Sequence, residues 1–122
     1  MYYEKLALEV GATVAGFDVL KPAVIMGASG VEHRFTFAAT DGPEKYAFDV
    51  CSEAGEIEII RAYVKQMDTG AKTFVICLSG KPKDEESKQL SRSYGVEVLG
   101  PKEVGDFFSS LIAKKIQIPN KR

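Results

Sequence analysis

The chain has no tryptophan, a single histidine (His33) and two cysteines (Cys51 and Cys77) among 122 residues. A structural zinc site takes four nitrogen or sulfur ligands, so this supply argues against one. Both cysteines stand in apolar, strand-like runs, which predicts free buried thiols in a reducing compartment. No apolar run approaches the length of a membrane span, and no membrane association is expected. Positive charge is not in excess either: 16 Lys+Arg face 17 Asp+Glu, a formal net charge of -1. Non-specific nucleic-acid binders usually carry a basic footprint. Any such affinity here would therefore rest on a local groove, or on one completed by a partner. Met1 leads into Tyr2-Tyr3-Glu4-Lys5, without the basic-then-apolar order of a secretory leader. The expected location is the cytoplasm.

What is present is an ordinary globular composition, with 45% hydrophobic residues and length enough for a single domain over 1–122. Apolar spacing predicts a helix over 2–10, ended by Gly11, and an irregular connection over 14–17. Residues 19–26 are β-rich but interrupted by Pro22. After the loop Gly27-Ala28-Ser29-Gly30, strict alternation predicts a strand over 31–39, with Val31, His33, Phe35 and Phe37 on one face and Glu32, Arg34 and Thr36 on the other. Asp41-Gly42-Pro43 marks a turn, and 45–51 alternates again.

Residues 55–67 carry the clearest helical pattern. Ile60, Tyr63, Val64 and Met67, widened by Ile57 and Ile59, form the apolar stripe. Glu58, Arg61, Lys65 and Asp68 form a ladder of alternating charge on the polar side. The continuous apolar run 73–78 predicts a strand covered on both faces. A polar helix to Tyr94, a strand over 96–99, a helix opened by Pro101 and a frayed tail from Pro119 to Arg122 complete the chain. A helix, a meander and then βαβ units predict an α/β fold with three layers, a mixed central sheet between helices.

The chemistry concentrates in GVEHRFTFAATDGPEKYAFDVC, residues 30–51. A short antiparallel connection would set Arg34 and Thr36 beside Asp49 on one face. Together with the helix GEIEIIRAYVKQMD that follows, this stretch resembles the restriction-endonuclease-like, PD-(D/E)XK, nuclease superfamily. The resemblance implies a restriction-endonuclease-like fold and a Mg²⁺-dependent phosphodiesterase site. By position, Glu4 (or Glu9) stands for the first-helix acid, Thr36 for the first strand's aspartate, and Asp49-Val50-Cys51 for (D/E)-x-K. Two carboxylates on adjacent strands hold the hard cation and acidify its water; the lysine stabilises charge on the phosphate. This chain departs from the pattern twice, since Thr36 lacks the negative charge and Cys51 lacks the positive one. The candidate metal ligands are thus Asp49 and Glu4. The candidate catalytic set is Asp49, with Lys65 as a migrated lysine and Glu32 as a replacement carboxylate. Arg34 and Arg61 are the candidate substrate contacts.

The same residues have plainer readings. His33, alternating with Phe35 and Phe37, suits a partly buried, hydrogen-bonded imidazole. Asp49 could pair with Arg34, because a carboxylate on a covered strand needs a partner. Arg61 and Lys65 suit a solvated helix face. Gly27-Ala28-Ser29-Gly30 lacks the lysine and the following helix of a phosphate loop, and the acids among Lys81, Lys83, Lys88 and Arg92 suit a solvated surface. Two functions follow as expectations. One is a nucleic-acid-related protein of nuclease descent with a degenerate site. The other is a non-catalytic interaction or homo-oligomerisation module.

Overall fold

The apolar run TFVIC forms the centre of the sheet. In β6 (Lys72–Cys77) every residue from Thr73 to Cys77 is buried, because helices cover both faces and no position need be polar. The computed structural model describes residues 2–117, with side chains over 8–110; the expected frayed tail lies outside the described residues. β6 lies parallel to β5 (Glu44–Cys51) on one side and to β7 (Glu97–Leu99) on the other. β4 (Phe37–Asp41) runs antiparallel to β5, and the short β1 (Asp18–Val19) closes the edge, giving the order β1-β4-β5-β6-β7. The fold is mixed α/β, as the element order predicts.

Alternation along the strands sorts the core. Phe37, Phe48, Phe74 and Ile76 point to one face, where they meet Leu8 and Ala12 of α1 (Tyr2–Val14) and Phe108 of α4 (Pro101–Gln117). Val75 and Cys77 point to the other, against Ile59 and Ala62 of α2 (Glu56–Thr69) and partly buried Leu90 of α3 (Glu85–Tyr94). Asp84 caps α3, its Oδ1 accepting from the Ser87 N–H at 2.8 Å.

Four expectations change. Gly11 does not end the first helix, which continues to Val14. A Cβ there would lie 2.8 Å from the Phe108 ring, so the glycine permits close packing of α1 on α4. The β-rich stretch 19–26 and the strand 31–39 are each divided. β2 (Val24–Met26) and β3 (Glu32–Arg34) pair with one another in a separate two-stranded sheet, and only residues 37–41 of the second stretch enter the main sheet. The apolar stripe of α2 does not stay together as one face. Ile59 and Ala62 are buried, whereas Ile57, Ile60, Val64 and Met67 are exposed. Periodicity finds an apolar stripe but does not say which stripe the sheet takes. Nor do the charged residues of α2 form a ladder on one another. Glu58 turns back to the Gly55 N–H, Lys65 to Asp49, and Asp68 to Ser29 and His33.

Candidate functional site

Asp49 sits on β5 on the face turned toward α2, opposite Val75 of β6. It is part-buried, and each of its two oxygens accepts a hydrogen bond. Lys65 Nζ donates to its Oδ2 at 2.8 Å, and the Thr36 N–H donates to its Oδ1 at 3.1 Å. The Thr36 hydroxyl in turn accepts from the Val50 N–H at 3.2 Å. Lys65 also donates to the Arg34 carbonyl at 2.6 Å, and its ammonium lies 4.7 Å from the centre of the Phe35 ring. The aromatic face, the carbonyl and the carboxylate together give this half-buried cation the partners it needs. Beside the pair is a cleft of about 180 Å³ lined by Asp49, Cys51, Glu58, Arg61, Lys65 and Val75.

The structure brings Asp49, Lys65 and Arg61 together at this cleft, with Thr36 against Asp49. It separates the other candidates. Glu32 is exposed on the two-stranded sheet, opposite Met26, and does not share a strand face with Thr36, because the chain leaves one sheet and enters the other between Arg34 and Phe37. The partner of Asp49 is Lys65 and not the Arg34 side chain, which is exposed; Arg34 contributes its carbonyl. The Glu4 side chain lies outside the described residues. Glu9, the other first-helix acid, lines a cavity of about 250 Å³ with Thr36 and is bridged to Lys21 at 3.3 Å.

Cys51 stands two residues after Asp49 on β5, and its thiol is pushed up to about 11 by burial, then by Cys77, Glu58 and Asp49. It is a neutral thiol at neutral pH and supplies no cation. Both cysteines are free. Among the described residues, no three His, Cys, Asp or Glu side chains come together as a metal-holding group. The fit to Mg²⁺ is poor on chemical grounds as well, because one carboxylate already bound by an ammonium leaves little for a hard cation that wants several oxygens.

A second polar cluster holds the hairpin to α2. Asp68 accepts from the Ser29 hydroxyl at 2.7 Å and from the Ser29 N–H at 3.0 Å, and His33 Nε2 lies 2.7 Å from its Oδ2. The Ser29 hydrogen bonds and then His33 hold the Asp68 carboxyl below its ordinary value. A Cβ on Gly27 would lie 1.9 Å from Asp68 Oδ2, so the Gly-Ala-Ser-Gly loop is shaped around this carboxylate. His33 is the hydrogen-bonded imidazole that its setting predicts. Sequence reasoning missed Phe35 beneath Lys65 and the structural use of Asp68. For Glu58 a signal existed, since it stands three residues after Gly55 at the start of the helix, where a glutamate can turn back to the N-cap N–H.

No family model matches the chain, and no curated protein matches it. A similar solved structure is the crystal structure of AF1548, a protein of unknown function, at 16% identity and a TM-score of 0.58. The match covers 80% of this chain and 58% of that one, so this chain spans less than two thirds of the other's length. At this identity the likeness shows the mixed α/β fold alone. Among the described residues no helix is long and apolar enough to cross a membrane.

Proposed function

We propose that the chain is a nucleic-acid-related domain of restriction-endonuclease-like architecture whose former metal site has become an ion pair, so that it does not cleave. The observation that carries this reading is the Lys65–Asp49 contact of 2.8 Å in a cleft where Thr36 and Cys51 fill the remaining positions of the PD-(D/E)XK pattern. The architecture is supported by the antiparallel β4–β5 pair followed by parallel β5, β6 and β7 with helical crossovers. It is also supported by Asp49 meeting Thr36 across neighbouring segments. Lys65 takes the migrated place that the resemblance allows, yet it neutralises Asp49 instead of joining it at a cation. Phosphate would approach past Arg61. The larger cavity of about 640 Å³ beyond Cys51 sets Glu53, Glu56, Glu58, Asp84 and Glu86 against Lys83 alone, and this negative balance would repel it.

The test is a cleavage assay on duplex and branched DNA and on RNA with Mg²⁺ or Mn²⁺, beside a Mn²⁺ titration. The expected results are no cleavage above that of Asp49→Ala, no Mn²⁺ binding below the millimolar range, and low-salt nucleic-acid binding weakened by Arg61→Ala. Metal-dependent cleavage abolished by Asp49→Ala would show a live site. An absence of binding to any nucleic acid would remove the nucleic-acid half of the proposal. Supplying the second carboxylate with Thr36→Asp, together with Lys65→Met to free Asp49 from its ammonium, should raise Mn²⁺ affinity.

A further inference from the structure

Both crossover helices that follow the parallel strands begin at one cavity. β5 ends at Cys51 and β6 at Cys77, and α2 and α3 start at Glu56 and Glu85. Between these starts lies the cavity of about 640 Å³. It is in the size range of small-molecule sites and stands at the carboxyl ends of strands, where open α/β sheets bind ligands. Its wall sets Glu53, Glu56, Glu58, Asp84 and Glu86 against Lys83. Each helix start adds about half a positive charge, so the balance stays negative. Glu58 and Asp84 are occupied by the Gly55 and Ser87 N–H groups. Glu53, Glu56 and Glu86 are exposed and make no ion pair among the described residues. Acids at helix starts stabilise helices in any protein, so they alone mark nothing. A second observation points to a ligand. Ser87 lines the same cavity and is 1% exposed, and its Oγ has no hydrogen-bond partner. The hydroxyl lies near enough to Asp84 to help hold that carboxyl low, yet not in a position to bond it. A buried hydroxyl without a partner is destabilising, and a polar group of a ligand in the cavity would complete it.

We propose that this cavity binds an aliphatic polyamine, with ammonium groups spread over Glu53, Glu56 and Glu86 and one of them donating to Ser87 Oγ. The sign of the wall excludes an anion. The spread of the acids decides between cations. Among the described residues no three His, Cys, Asp or Glu side chains converge as a metal-holding group, so the carboxylates stand at separate points around the cavity. A hard point ion wants several oxygens at once, whereas a chain with charges at intervals meets separate carboxylates in turn. Its methylene segments would lie along Ile57 and Cys51, the apolar part of the wall. An ammonium only donates, and the lone pairs of the Ser87 hydroxyl are free to accept. The proposal concerns the ends of β5 and β6 and does not rest on the reading of the Asp49 cleft.

Calorimetric titration of the full chain with spermidine is the test, at low and at physiological salt. The expected result is one saturable site with Kd on the order of 100 µM at low salt, weakening as salt rises because the acids are exposed. Glu56→Gln combined with Glu86→Gln should weaken binding about tenfold, and Ser87→Ala about fivefold. Glu44→Gln, at the opposite and exposed end of β5, should leave it unchanged. Ser87→Ala should at the same time raise the melting temperature of the free chain by about 3 °C, since it removes a buried hydroxyl that nothing satisfies. An absence of saturation below about 5 mM overturns the proposal. So does binding indifferent to Ser87→Ala. A fall in melting temperature in that variant also overturns it, because the hydroxyl would then be bonded to Asp84 in the free chain. Displacement of spermidine by an equal concentration of Mg²⁺ does the same, leaving only counterion attraction. None of these outcomes bears on cleavage or on Mn²⁺ binding at Asp49.

Discussion

The two faces of the sheet are built on different principles. Toward α1 and α4 the strands present Phe37, Phe48, Phe74 and Ile76, and Phe48 stacks on Phe74 with ring centres 4.9 Å apart. Phe107 and Phe108 close over them. Toward α2 the same strands present Ala47, Asp49, Cys51, Thr73 and Val75. Residues two apart on a strand share a face, so a single alternation in β5, Tyr46-Phe48-Val50 against Ala47-Asp49-Cys51, produces both. The aromatic face supplies a stiff platform of large buried area. The small and polar residues on the other side leave room for a cleft, and the charge there is satisfied by Lys65. In this protein the stable face and the candidate functional face are back to back on the same strands.

The contrast can be broken most directly at Phe48, which is fully buried. Phe48→Ala should lower stability by about 3–5 kcal/mol in urea unfolding, or prevent folding, because the aromatic face cannot collapse around so large a void. On α2 the contrast lies between neighbours: Ile59→Ala should cost about 2–5 kcal/mol and Ile60→Ala less than about 0.5 kcal/mol, measured at a concentration where the chain is monomeric. Equal costs would contradict the assigned faces. Gly11→Ala should cost about 1–3 kcal/mol despite alanine's better helix propensity, since its Cβ meets the Phe108 ring.

Asp49→Ala should cost about 1–3 kcal/mol by leaving Lys65 short of a partner. A double-mutant cycle with Lys65→Met should show coupling of about 0.5–3 kcal/mol, and zero coupling would dismiss the ion pair.

The smallest effects are titrations. Cys51 should react with thiol reagents far more slowly at pH 8 than a free cysteine, the rate rising toward pH 11. Because its folded value is raised, the folded state keeps the proton longer than the unfolded one. Stability from this group is full below the ordinary thiol value and falls as pH climbs toward 11. For Asp68 the shift is downward, so its contribution is present above the ordinary carboxylate value and disappears as pH falls through the folded one. Hydrogen exchange of the Ser29 N–H followed into acid would detect that release.

Much of the fold was legible. The run TFVIC, the alternation of YAFDVC and the order of helices and strands all gave their elements, because each is a local matter of period. At the site, Asp49 beside Thr36 followed from strand register, and Lys65 followed as a helix residue able to reach them. Three features were not legible. The helical stripe Ile57-Ile60-Val64-Met67 looks like a core face, since hydrophobic spacing is blind to which of two apolar flanks a sheet selects. The alternation from Val31 to Ala39 hid a change of sheet, since the period is unbroken while the pairing partner switches. With that change Glu32 and Arg34 left the face they had been assigned, although Arg34 returned through its carbonyl, a group no side-chain pattern can reveal.

By itself the sequence determined the mixed α/β class, a central strand buried on both faces, and a carboxylate on β5, Asp49, with a threonine and a cysteine near it. Tertiary structure decided that Lys65 and Asp49 neutralise one another, that Asp68 serves the loop at Ser29, and that the apolar seam of α2 faces outward. The reason is physical. Period and capping act between residues a few positions apart, whereas the partner of a charge and the covered side of a helix depend on which distant surfaces the chain brings together.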